Sequence, residues 1–225
     1  MEAPEDLALF ANPKLTLSSL KGLIVIDKIQ KIPEIFPLIR VLVDSDKKDK
    51  QFLILGSASR DLIHQSSETL AGRISYIEIT PFSFYELENP KDLWLKGGFP
   101  KAYLAASMEQ SIEWRKNYIT TFLERDIPSL GFNIPSQALR RFWIMMTSYH
   151  GNIFNASEIG RSLALSASTM RRYLDLLTGT FMLRQLTPWF ENINKRQVKA
   201  PKVYFRDSGI FHTLLGTNQK EQIPG

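Results

Sequence analysis

Two short runs of branched apolar residues, Leu23-Ile-Val-Ile26 and Phe52-Leu-Ile-Leu55, constrain this chain most. Each is too short for a helix and too uniformly apolar for a strand with one wet face, so each predicts a strand covered on both faces in a parallel sheet. Between them, Pro33 to Val43 has apolar residues at 35, 36, 38, 39, 42 and 43, a helical spacing with proline in the first turn. A polar stretch, Asp44 to Lys50, leads into the second run. Strand, helix, strand is a crossover unit, and open α/β sheets bind ligands at the carboxyl ends of their strands. Those ends carry Asp27 and Gly56-Ser57-Ala58-Ser59. Similar ends also occur in sheets that bind nothing, so the pattern alone defines a place and not yet a function.

Composition excludes several chemistries. With 44% hydrophobic and 23% charged residues, the 225-residue chain can bury a core as one large domain or two small ones. The absence of cysteine removes disulfides, thiolate zinc sites, iron–sulfur clusters and cysteine nucleophiles. His64, His150 and His212 stand far apart, against a histidine-rich metal site, and there is no Gly-x-Ser-x-Gly elbow. No apolar run approaches the roughly 20 residues of a membrane span, and the start at Met1 is acidic where a signal peptide is basic. The expectation is a soluble, cytoplasmic protein with no membrane partner.

The net charge of +5 is unevenly placed. Residues 1–80 hold 10 basic and 11 acidic side chains, residues 81–128 hold 6 and 7, and residues 129–225 hold 12 and 5. The whole excess lies in the last segment, which points to a polyanionic partner or to a solvated basic face.

Residues 81–128 read as a helical connector. Its apolar residues at 112, 114, 118, 119, 122 and 123 share one helix face, as core aromatics do. The basic segment has a helix-turn-helix pattern. A helix from Ala138 to Tyr149 is broken at His150-Gly151-Asn152; Asn155 and Glu158 then mark a helix start, Ala164-Leu165 a turn, and Ser166 a second cap. In the second helix Met170, Tyr173, Leu174 and Leu177 form the apolar side, opposite Ser168, Thr169, Arg171 and Arg172. Thr180 to Leu186 and Lys202 to Arg206 read as two strands of a wing, joined by a loop bearing Lys195, Arg196 and Lys199. These seven polar residues are the candidate DNA contacts, although winged helices also dock proteins. Asp207 reads as a strand end or the cap of a helix over Ser208 to Leu215; with Glu221 it is one of only two acids after residue 200, too few for a metal-dependent nuclease.

Leu23 to Gln30, Phe52 to Ser59, Leu70-Ala-Gly-Arg73 and Tyr76 to Phe82, with Gly97-Gly-Phe-Pro100, Phe122 to Asp126, Tyr173 to Leu177 and Pro201 to Gly209, together resemble the prokaryotic AAA-type P-loop ATPases that carry a C-terminal domain of unknown function. The resemblance implies that Asp27 is the Walker B aspartate that holds Mg²⁺ through water and that Ser57 lies in the sensor position. It implies a phosphate contact at Arg73, in cis or from a neighbouring subunit, with ATP and Mg²⁺ as cofactors. It also implies a winged helix followed by a restriction-endonuclease-like part.

Two departures count against catalysis. The family's glutamate after the Walker B aspartate is replaced by Lys28, which is no base while protonated. The chain also contains no Gly-x-x-x-x-Gly-Lys-Ser/Thr and no Lys-Ser or Lys-Thr pair, so the cradle that compensates triphosphate charge is missing from it. The expectation is an α/β then mostly α chain: a partial AAA-type P-loop core at 1–80, a connector at 81–128, a winged helix at 129–206 and the start of a truncated C-terminal domain at 207–225. It reads as a truncated or non-hydrolysing ATPase-family member that does not hold ATP and Mg²⁺ by itself. The competing reading is a non-enzymatic DNA-binding or protein-interaction module. Loss of a neighbouring strand would leave an open sheet edge suited to self-association.

Overall fold

A computed structural model of the chain describes residues 10–29, 32–45, 50–56, 69–87, 89–188 and 200–217. Two compact units result, Met1–Glu78 and Ile79–Gly225.

In the first unit, helix α1 (Pro13–Ser19) begins at Asn12, whose side chain accepts the Leu15 N–H, with proline at the first helical position. Strand β1 (Gly22–Ile26) pairs in parallel with β2 (Lys50–Ile54), Gly22 opposite Lys50 and Ile26 opposite Ile54. The intervening chain makes a 3₁₀ turn at Pro33–Ile35 that runs into α2 (Phe36–Ser45). Leu17 of α1, Ile24 and Ile26 of β1, and Phe36, Ile39 and Leu42 of α2 close the core with Ile29 and Leu70.

The strands depart from the expectation of cover on both faces. Ile24 and Ile26 are buried, but Leu23 and Val25 are 62% and 53% exposed. The side-chain period of two decides this: α1 and α2 pack on the face that carries Ile24 and Ile26, and the alternate residues stay in water despite their apolar identity. Lys50, at the start of β2, is buried and turns its Nζ onto the Leu17 and Ser18 carbonyls at 3.3 and 2.8 Å. Those carbonyls close α1, where the helix dipole favours a cation.

In the second unit, α3 (Pro90–Lys96), α4 (Pro100–Tyr103) and α5 (Met108–Thr121) lead into a π turn at Phe122–Asp126 and a short α6 (Ile127–Ser129). Helix α7 (Ser136–Met145) continues as a 3₁₀ turn to Tyr149. Then come α8 (Ala156–Leu163), α9 (Ala167–Gly179), β3 (Leu183–Leu186), β4 (Lys202–Phe205) and α10 (Ser208–Leu215). β3 and β4 are antiparallel, Leu183 opposite Phe205 and Leu186 opposite Lys202. Residues 150–154 run beside β4, with Gly151 donating to the Val203 carbonyl and Phe154 to that of Pro201.

Ile119, Phe122, Trp143, Tyr173, Leu177, Val203 and Ile210 belong to one core, so described residues from each of the three sequence segments after 80 pack together. The connector's aromatics are part of that packing: Trp114 stacks on Tyr118 at 5.1 Å, Tyr118 on Phe122 at 6.2 Å, and Phe122 tilts against Trp143 at 5.3 Å. Burial pushes the Tyr118 hydroxyl up to about 12. Among the described residues no helix is long and apolar enough to cross a membrane.

Candidate functional sites

The carboxyl end of β1 places Asp27 at the surface. Pairing continues past the strands: Leu55 donates to the Ile26 carbonyl at 2.8 Å and Ile29 to the Leu55 carbonyl at 3.3 Å. This holds a tight corner at Asp27 and Lys28. The Asp27 carboxylate accepts the Lys28 N–H at 2.8 Å, and Lys28 takes a left-handed backbone, φ 58°. A non-glycine residue there costs about 1–2 kcal/mol, and the fully buried Ile29 that follows is what the corner secures.

Arg73 is held in an exposed ion pair with Asp44. Its Nε and Nη2 grip the two oxygens of Asp44 at 2.7 and 3.0 Å, and Nη1 reaches the Ala71 carbonyl at 3.0 Å. The Asp44 hydrogen bond, then its charge, raises the Arg73 pKa from its ordinary value. Ser57 lies outside the described residues. The donor set therefore fits ATP and Mg²⁺ poorly. Asp27 offers a carboxylate already turned to its own backbone, its neighbour is a cation, and this chain has no lysine-bearing glycine loop to compensate a triphosphate. Among the described residues no group of three or more His, Asp or Glu side chains converges as a metal site.

In the second unit, α8 and α9 follow one another across a tight turn at residues 164–166. Asn155 accepts the Glu158 N–H at 3.2 Å and donates to the Glu158 carboxylate at 3.1 Å. Helix α8 ends on Ala164 in the left-handed conformation, with the Leu165 N–H returning to the Gly160 carbonyl at 2.9 Å. Gly160 is required by that return, since a Cβ there would meet the Leu165 carbonyl oxygen at 2.6 Å. Ser166 caps α9, accepting the Thr169 N–H at 3.1 Å. Its hydroxyl also lies 2.8 Å from those of both Ser168 and Thr169.

Arg171 and Arg172 project from the second turn of α9 into solvent, opposite buried Met170, Tyr173, Leu174 and Leu177. Lys195, Arg196 and Lys199 lie outside the described residues. Three exposed cations were not among the sequence candidates: Arg161 on α8, Arg184 on β3 and Lys202 on β4. A signal for Arg161 was present, because the 16 residues from Ile159 to Leu174 carry three arginines and no acid.

A third polar cluster is buried. Asp207 caps α10 through the Ile210 N–H at 2.8 Å, in accord with its expected capping role, and also accepts the Gly98 N–H at 2.7 Å. Arg115, on α5 and 1% exposed, donates to the carbonyls of Gly209, Leu95 and Ser111. Burial raises the Asp207 pKa, opposed by its backbone hydrogen bonds and by Arg115; burial lowers that of Arg115. A Cβ on Gly97 would overlap the Asp207 carboxylate and one on Gly209 the Lys96 carbonyl. The cluster joins the Gly97-Gly98 corner to α5 and α10, a structural role.

A parallel β-α-β unit with an acid at its strand end precedes, along the chain, a mostly helical unit. Residues 2–88 match the family described as AAA domain, and residues 87–221 match the family described as Domain of unknown function (DUF8612). The chain belongs to this AAA-type family with a C-terminal domain of unknown function. It is 49% identical over 221 residues to Uncharacterized protein Rv2008c of Mycobacterium tuberculosis and, at the same identity and length, to Uncharacterized protein Mb2031c of Mycobacterium bovis. Each alignment covers 97% of this chain and 50% of the relative, so the chain spans about half the length of the curated relatives it matches. No solved structure matches it.

Proposed function

We propose that this chain is an ATPase-like AAA-family protein that neither binds ATP tightly nor hydrolyses it by itself. The observation that carries the reading is the Asp27-Lys28 corner. In the Walker B position implied by resemblance, Asp27 is followed by a cation held on a left-handed backbone, where a water-activating glutamate is required. Phosphoryl transfer depends on positioning and charge stabilisation, and this chain supplies neither a phosphate cradle nor a base. Titration with a fluorescent ATP analogue and Mg²⁺ tests it. The expected result is no saturable site below millimolar; micromolar affinity or measurable turnover would overturn the reading.

A second reading concerns the basic unit. The α8–α9 pair, the β3–β4 hairpin and residues 150–154 beside β4 support a winged helix that binds DNA. The exposed Arg171 and Arg172 on the outer side of α9 favour it over a protein-docking role. Binding to duplex DNA that weakens as salt rises is expected, and absent or salt-insensitive binding sinks it.

A further inference from the structure

We infer that this unit grips duplex DNA by its phosphates, without reading base sequence. The inference rests on the winged-helix reading and specifies its mode. Sequence readout by such a fold needs side chains on the first turn of the second helix that are free to reach base edges. Here the short polar side chains of that turn, though exposed or half-buried, are engaged with one another in the cap. The hydroxyls of Ser168 and Thr169 both close on Ser166 Oγ at 2.8 Å, in the knot that caps α9. The side chains left to face a partner are cations. Arg161, Arg171 and Arg172 are exposed, and none has a side-chain hydrogen bond or ion pair among the described residues.

The acids that bracket them are already engaged. Glu158 accepts from Asn155 at 3.1 Å, and Asp175 accepts from Gln185 at 3.1 Å. The hairpin carries two further exposed cations on a face of its own. Its register places Arg184 opposite Tyr204 and Leu186 opposite Lys202. Residues two apart, and residues directly opposed, share a sheet face, so Arg184 and Lys202 lie on one face. That face is turned away from buried Leu183, Val203 and Phe205. Arginine at exposed, unpaired positions suits phosphate oxygens, and such contacts position a protein while carrying no sequence information.

The test is fluorescence anisotropy of the full chain on several unrelated 20-base-pair duplexes between 50 and 200 mM salt. Expected are affinities within about threefold of one another and a log–log salt slope near −2.7, from the three arginines of α8 and α9 at about −0.9 each. Arg171→Ala/Arg172→Ala should weaken all duplexes alike and make the slope shallower by about 1.8. Ser168→Ala/Thr169→Val should leave the relative affinities among duplexes unchanged. A duplex bound a hundredfold more tightly than the rest, whether or not Ser168→Ala/Thr169→Val erases that preference, overturns the inference and leaves DNA binding standing. So does binding unchanged by Arg171→Ala/Arg172→Ala. Absence of binding at 50 mM salt overturns the DNA reading itself, and tighter binding to an RNA duplex overturns the choice of partner.

Discussion

Asp207→Ala would remove a side chain that ties the Gly97-Gly98 corner to α10. Two buried donors, the N–H groups of Gly98 and Ile210, would lose their acceptor. Each buried donor left unpaired costs about 1–3 kcal/mol, a gross loss of about 2–6 kcal/mol. Burial raises the Asp207 pKa, so the ionised side chain carries a desolvation cost that its removal returns. The net loss is then about 1–4 kcal/mol, or a fall in Tm of about 3–15 °C for a unit of this size. The assay is unusually clean, because Trp94, Trp114, Trp143 and Trp189 all lie within residues 79–225. Urea unfolding followed by tryptophan fluorescence therefore reports on this unit alone. Asp207→Asn keeps one carbonyl oxygen and presents an NH₂ to the second donor, so its loss should fall between parent and alanine. An alanine variant within about 0.5 kcal/mol of the parent, or an asparagine variant weaker than it, would refute the reasoning.

Three further outcomes are expected. Gly160→Ala forces a methyl against the Leu165 carbonyl oxygen, backbone that cannot rotate away; overpacking of this kind costs about 1–3 kcal/mol, read as a lower urea midpoint in the same fluorescence assay. His150 Nδ1 accepts the Phe205 N–H at 3.1 Å, and burial lowers its pKa. Its contribution to stability is therefore complete above about pH 6.5 and is lost as pH falls through the folded-state value. The difference in urea midpoint between parent and His150→Gln should change below that pH, and a constant difference from pH 7.5 to 5 refutes it. In that difference the contribution of Asp207, which runs oppositely with pH because its pKa is raised, cancels. Lys50→Met deletes the cation at the end of α1, a loss of about 1–2 kcal/mol, visible as faster hydrogen exchange across residues 13–26.

What the sequence revealed was mainly local. Caps at Asn155, Ser166 and Asp207 act within three residues, and all three side chains accept the N–H their spacing assigns. The order of β1, α2 and β2 was equally readable, because each element is written in its own periodicity. The burial of β1 was not, since a uniformly apolar strand carries no mark of which face a helix will cover, and Leu23 and Val25 fell on the uncovered side. The partner of Arg73 is 29 residues away, and Arg115 meets the Gly209 carbonyl 94 residues on. No window of sequence spans such distances, so neither the Arg73–Asp44 pair nor the burial of Arg115 was legible in it. The exposed cations were half visible: the helical spacing of the second helix found Arg171 and Arg172, but the shared outward face of Arg184 and Lys202 exists only once β3 and β4 are in register.

The π turn at Phe122–Asp126 sets a rule of spacing for the chain. Trp114, Tyr118 and Phe122 follow one another at four-residue steps, and fully buried Ile127 comes five residues later, its N–H returning to the Phe122 carbonyl. The extra residue absorbs a turn of about 100° that an unbroken α-helix would have imposed. A codon gained or lost between 122 and 126 would swing Ile127 and the entry to α7 around the helix by that angle, with every amino acid otherwise intact. In this stretch inheritance must conserve a count before it conserves identities: substitutions of similar size can drift through it, and single-residue insertions or deletions cannot.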